Sequence, residues 1–159
     1  SAQPTLVSDA IDLPEACAPL FDEAFIADMS EAALPLDDPG LTMDSTLLPS
    51  GLEYLQTEPS LRCTWGMPSD VGMATTITLL PVSEHGVILA DAAANGFTCE
   101  SVSATERRCV LRVAEEDPEF GAYAYGEEHV LRGNAWIATH WLNIELPDYT
   151  DDLVAALWE

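Results

Sequence analysis

Four cysteines, Cys17, Cys63, Cys99 and Cys109, constrain this chain more than any other feature of its sequence. None stands in a Cys-x-x-Cys pair, which argues against a structural zinc site and against a thioredoxin-type redox centre. An even number of well-separated cysteines suits two disulfides, and with them an oxidising, extracytoplasmic setting. Among the possible connectivities, Cys17 with Cys63 and Cys99 with Cys109 is favoured, because the second pair flanks a short polar stretch between two strand-like runs. On the chain-entropy account the long loop contributes about 4 kcal/mol and the short one about 3 kcal/mol. The competing reading is four buried thiols in a reducing cytosol.

Charge narrows the partners. The 159 residues carry 28 Asp plus Glu against 5 Lys plus Arg, a formal charge of −23, and all five cations are Arg. A field of that sign repels phosphate and offers no cationic stripe to displace counterions, so neither nucleic acid nor an anionic membrane is an expected partner. A basic protein partner is compatible with it. At 48% hydrophobic and 8% aromatic the chain is nevertheless that of a folding domain rather than a disordered acidic tail. No apolar run approaches the ~20 residues of a membrane-spanning helix. The absence of Lys and the large charge also suit a salt-adapted cytosolic protein, a reading that disulfides would oppose.

Along the chain, residues 1–12 read as a flexible N-terminal segment and 13–159 as one domain. A short turn carrying Cys17 precedes an amphipathic helix over about 19–29, with Leu20, Phe21, Ala24 and Phe25 on one face. Residues 35–49 hold three prolines and a glycine and read as a long surface loop, with at most a short turn over 50–58. Runs at 61–66 and 73–80 form one hairpin, 87–94 an Ala-rich helix stopped by Asn95-Gly96, and 97–102 with 108–113 a second hairpin bearing a cysteine on each arm. The 120–126 segment, Phe-Gly-Ala-Tyr-Ala-Tyr-Gly, fits either an irregular edge strand or an ordered loop. The 134–146 run is apolar on both faces at its start and so belongs in the middle of a sheet. A final helix occupies 151–158. The order helix, hairpin, helix, hairpin, strand, helix describes an α+β domain: a twisted antiparallel sheet with helices mainly on one face.

Several of these features together, Leu13-Pro14-x-x-Cys17, Arg62-Cys63-Thr64-Trp65, the Ala-rich helix ending at Gly96, the Cys99 and Cys109 pair and the Trp-containing 133–141 strand, resemble small secreted or lipid-anchored cell-envelope proteins of high-GC Gram-positive bacteria. The resemblance implies location and fold, and brings no catalytic set with it. In lipid-anchored members the attachment Cys would lie upstream of residue 1.

For chemistry, the chain has no Gly-x-Ser-x-Gly nucleophile elbow, and paired cysteines leave no thiolate. His85, His129 and His140 are the histidines available as general bases. His140, mid-strand beside Trp141, is the one that could line a pocket, although a structural histidine with one hydrogen bond is the commoner case. Carboxylates cluster at 115–119 and elsewhere without the spacing of a calcium loop, and no Gly-rich phosphate cradle is present, so no metal or other cofactor is expected. The aromatic set Tyr123, Tyr125, Trp136 and Trp141, with His140, would suit a small apolar or aromatic-stacking ligand if it shares a concave face. The glycine-flanked 120–125 segment would then act as a flap over the last strand. The reading that follows is a non-catalytic extracytoplasmic binding or interaction module of the cell envelope. The alternative is a small secreted hydrolase with an unrecognised site at His140.

Overall fold

The computed structural model describes residues 9–159. Four α-helices and six strands follow one another as α1 (Glu23–Glu31), α2 (Pro49–Thr57), β1 (Ser60–Trp65), β2 (Gly72–Leu79), α3 (Val82–Ala94), β3 (Thr98–Ser101), β4 (Glu106–Asp117), β5 (Gly121–Arg132), β6 (Ala135–Leu142) and α4 (Tyr149–Trp158). A 3-10 turn, Ala18–Leu20, with Pro19 as its second residue, carries the chain from Cys17 to α1. The strands form one open antiparallel sheet in the order β1-β2-β6-β5-β4-β3. The α+β class and the antiparallel sheet are as the residue pattern implies. Two elements differ from expectation: residues 49–57 are a full helix begun by Pro49, and 121–132 are a long strand rather than a flap.

Strand alternation assigns each side chain to a face, and at the centre of the sheet both faces are dry. On one, Trp65, Met73, Ile77, Ile137, Val130 and Trp141 pack beneath Met29 of α1 and Leu153 and Val154 of α4. On the other, Trp136, Ala138, Leu131 and Cys109 pack beneath Ile88 and Ala92 of α3, with Tyr54 and Leu55 of α2 alongside. The helices therefore flank the sheet in pairs, not mainly on one face. The reason lies in β6, whose Ala-Trp-Ile-Ala-Thr start has no polar side to leave in water. Residues 41–48 complete the second cover: Ser45, Thr46 and Leu48 are buried, and Ser45 Oγ meets Thr76 Oγ1 at 2.7 Å.

Both disulfides form as favoured, Cys17–Cys63 and Cys99–Cys109, and they account for all four cysteines. Such pairs persist in oxidising compartments. Cys99 and Cys109 face each other across the β3–β4 ladder. Cys17–Cys63 ties the N-terminal segment to the opposite edge strand, where Leu36 also bridges Trp65 and Asp37 bonds Thr64 through its backbone N–H. Residues 1–8 of the expected flexible segment lie outside the described residues. Next to them, the Ile11 N–H donates to Asn134 Oδ1 at 2.8 Å, and Asp9 accepts from Arg132 and from the Trp158 indole. Among the described residues, no helix is long and apolar enough to cross a membrane.

Candidate functional site

β4 and β5 outrun the rest of the sheet. β6 pairs with β5 only as far as Tyr125 opposite Leu142, and β3 pairs with β4 only as far as Val110, whereas β4 and β5 stay paired to Asp117 opposite Gly121. The outer part is thus a two-stranded ribbon reaching past the core. Gly121, at φ +86°, supplies the left-handed residue that closes its tip. There Asp117 Oδ1 accepts from the N–H groups of Glu119 and Phe120.

The base of this ribbon borders a groove of about 770 Å³, lined by Ala114, Ala122, Tyr123, Ala124, Tyr125 and Trp141, among others. Ile144 and Glu145, from the loop after β6, close its far side. Arg112 Nε donates to both oxygens of Glu145 at 3.0 and 2.9 Å, an exposed pair that positions more than it stabilises. The width comes from small residues: in the even-numbered row Ala122, Ala124 and Gly126, no side chain exceeds a methyl group. Gly126 stands opposite Trp141 in the ladder, and the indole lies so close over it that a Cβ there would collide with Cζ2.

Beyond Tyr125 lies a second hollow of about 320 Å³, mostly apolar, between the 41–47 loop and the strand ends. Leu41, Met43, Leu47, Tyr125, His140 and Leu142 line it. Tyr125 borders both hollows. Its ring stacks on Tyr123 at 6.2 Å and meets the His140 ring edge-on at 6.4 Å. The Tyr123 hydroxyl donates to Glu115, which raises its pKa. His140 Nδ1 donates to the Asp44 carbonyl at 3.2 Å, so the ring is oriented by the loop above it.

The five expected binding residues therefore separate. Tyr123, Tyr125 and His140 stand together on one face of the sheet, and Trp141 lies on the other face at the side of the larger groove. Trp136 does not join them. It is 0% exposed at the opposite end of β6, stacked on His129 at 5.9 Å. Its indole N–H donates to His129 Nδ1 at 2.9 Å, and His129 Nε2 meets Glu127 Oε1 at 3.0 Å. An indole N–H can only donate, so Nδ1 is the acceptor and Nε2 carries the proton toward the carboxylate. Glu127 Oε2 also accepts the Leu47 N–H at 3.0 Å. Burial pushes the Glu127 pKa up, but the bonds from His129, Thr46 and Leu47 outweigh it and leave the carboxyl below its ordinary value. This relay fastens the 41–48 cover to the sheet.

His85 is likewise structural. Its Nε2 meets the Leu80 carbonyl at 2.9 Å, and burial lowers its pKa. The groove-forming alanines escaped the residue reading, although Ala122-x-Ala124-x-Gly126 opposite a Trp strand is the pattern that a close backbone approach leaves in sequence. Among the described residues, no cluster of His, Cys, Asp and Glu is arranged to hold a metal ion. Comparison of the chain with protein-family models, with curated proteins and with solved structures finds no match.

Proposed function

We propose that this chain is a non-catalytic binding module of the cell envelope, secreted or surface-anchored, whose groove at the ribbon base takes an apolar or aromatic group. The observation that carries the reading is the groove of about 770 Å³ bordered by Trp141, Ala114, Ala122 and Ala124, with Tyr123 and Tyr125 at the turn of the ribbon to its other face. Its size falls within the range of small-molecule sites, and its lining combines the Trp141 indole and small alanines with a few polar groups, here Asn143 and the Arg112–Glu145 pair, able to orient a ligand. The two disulfides support an extracytoplasmic location. His140 acts in this reading as a wall of the adjoining hollow, held by the Asp44 carbonyl.

The test is a screen of small apolar and aromatic compounds read by tryptophan fluorescence, on the native chain and on Ala122→Leu and Ala124→Leu. Both alanines are exposed, so their substitution narrows the groove while sparing the core. Compounds that perturb the native emission are expected to lose at least tenfold in affinity for the filled variants. Equal affinity for all three proteins would move the site elsewhere. A hydrolytic activity lost in folded His140→Ala would replace the reading with an enzymatic one.

A further inference from the structure

The two edges of the sheet are treated differently. The β1 edge is covered at its Trp65 end: Leu36 bridges Trp65, and the backbone of residues 35–37 bonds Thr64 and Gly66. At the other edge β3 stops opposite Val110, and among the described residues no strand pairs with the outer side of β4 from 111 to 117. The polarity of that open edge follows from the ladder. Cys99 and Cys109 are directly opposed with their Cα atoms 4.0 Å apart, the narrow, non-hydrogen-bonded type of pair. Thr98 and Val110 therefore exchange bonds, and two-residue periodicity turns the N–H and C=O of Arg112, Ala114 and Glu116 outward. Phe120, 84% exposed, stands at the tip of the same ribbon. Glu115, Glu116, Asp117 and Glu119 surround that tip, while Arg112, the cation among them, is already held by Glu145.

We infer that the open edge of β4 receives an extended, basic segment of a partner protein, added as a further strand beside residues 112–116. Unpaired strand edges bind peptides through the main chain, and flanking side chains select among them. Here the selection has two parts. Val113 and Ala114 ask for apolar neighbours on the incoming strand, and Glu115, Glu116 and Asp117 ask for Lys or Arg nearer the tip, where Phe120 adds an apolar contact. A second copy of this chain is disfavoured as occupant, because each copy carries −23 and would bring its own acidic tip to the shared ladder. Residues 112–116 also border the groove, but the edge would be read through its outward main-chain groups and the groove through its side chains.

The experiment uses the full chain and a fluorescein-labelled peptide, Val-Thr-Val-Lys-Val-Arg-Lys, read by anisotropy at about 0.15 M salt, where the screening length is ~8 Å. A second peptide has the same sequence with alternate backbone nitrogens methylated, which keeps every charge and removes the ladder donors on one edge; methylation is placed in turn on each alternate set. Saturable binding is expected, weakened at least tenfold by one of the two methylation sets and at least fivefold by Glu115→Gln with Glu116→Gln. Ala114→Pro removes the outward donor and no charge, and should weaken binding comparably; if that variant does not fold, the methylated peptides decide alone. Equal binding of both methylated peptides and the parent would reduce the effect to charge attraction and overturn the inference. So would no binding, or a dimer in light scattering that the peptide fails to disperse.

Discussion

Two glycine-to-alanine substitutions should have opposite signs, and the difference is set by geometry alone. At Gly126 an added Cβ would fall on Trp141 Cζ2, 2.6 Å from Trp141 Cε2 and 2.5 Å from the Leu111 carbonyl oxygen. Comfortable contacts to carbon are about 3.5–4.0 Å, so neighbours must retreat by roughly 1 Å. Neither can do so freely. The carbonyl belongs to the β4 backbone, and Trp141 is only 7% exposed within the core beneath α4. The upper end of the overpacking range, about 3 kcal/mol, is the expected cost. In a domain of this size that lowers Tm by roughly 6–12 °C. Gly86 in α3 meets nothing within 4 Å, so Ala there adds only helix propensity, a gain of about 0.5–1 kcal/mol. Urea unfolding of the oxidised proteins, compared through midpoints at constant m, measures both. Gly126→Ala should also disturb ligand binding in the groove, because the displaced indole forms its side. A Gly126→Ala protein within 0.5 kcal/mol of the native chain would refute the close packing of Trp141 on β5.

The crosslinks should rank by loop length: replacing Cys17 and Cys63 by Ala is expected to cost about 4 kcal/mol and replacing Cys99 and Cys109 about 3 kcal/mol, from sequence separations of 46 and 10, as read by thermal unfolding. Glu127, with its folded pKa lowered, contributes stability that is present above its unfolded value of 4.5 and is lost as pH falls through the folded one. Glu127→Gln should flatten that part of the stability profile in urea titrations between about pH 3 and pH 6. Tyr149 is pushed up to about 12 by its burial, and Tyr54 to about 12 by its bond to Glu84; ultraviolet titration should show at least two tyrosines ionising well above pH 10, and Tyr54→Phe should remove one of them without loss of the fold. Tyr149→Phe leaves the Trp65 indole N–H, now 3.2 Å from the Tyr149 hydroxyl, without that acceptor and should cost about 1–3 kcal/mol.

Much of this fold is written locally. The alternation and turn residues of 60–80 and 97–113 place two hairpins, Asn95-Gly96 ends α3, and Cys99 pairs with Cys109 as their positions on one hairpin imply, which leaves Cys17 for Cys63. The composition of β6 also announces a strand that must be covered on both sides. What covers it was not legible. Periodicity says which residues share a face, but not which helix or loop arrives to bury that face, so the pairing of α2 and α3 opposite α1 and α4 belongs to tertiary structure. The same limit divided the aromatic set. Trp136 and Tyr125 look alike in sequence, yet one lies beneath α2 and α3 and the other on the overhanging ribbon. β5 was the hardest element to read, because its first residues pair with β4 alone and no core imprints a hydrophobic alternation on them. Glu127 and His129 read in sequence only as a carboxylate beside a candidate general base, since a charged side chain carries no local mark of burial. Only when residues 41–48 fold across the sheet do Leu47, Thr46 and Trp136 become the partners that make burying that carboxylate affordable.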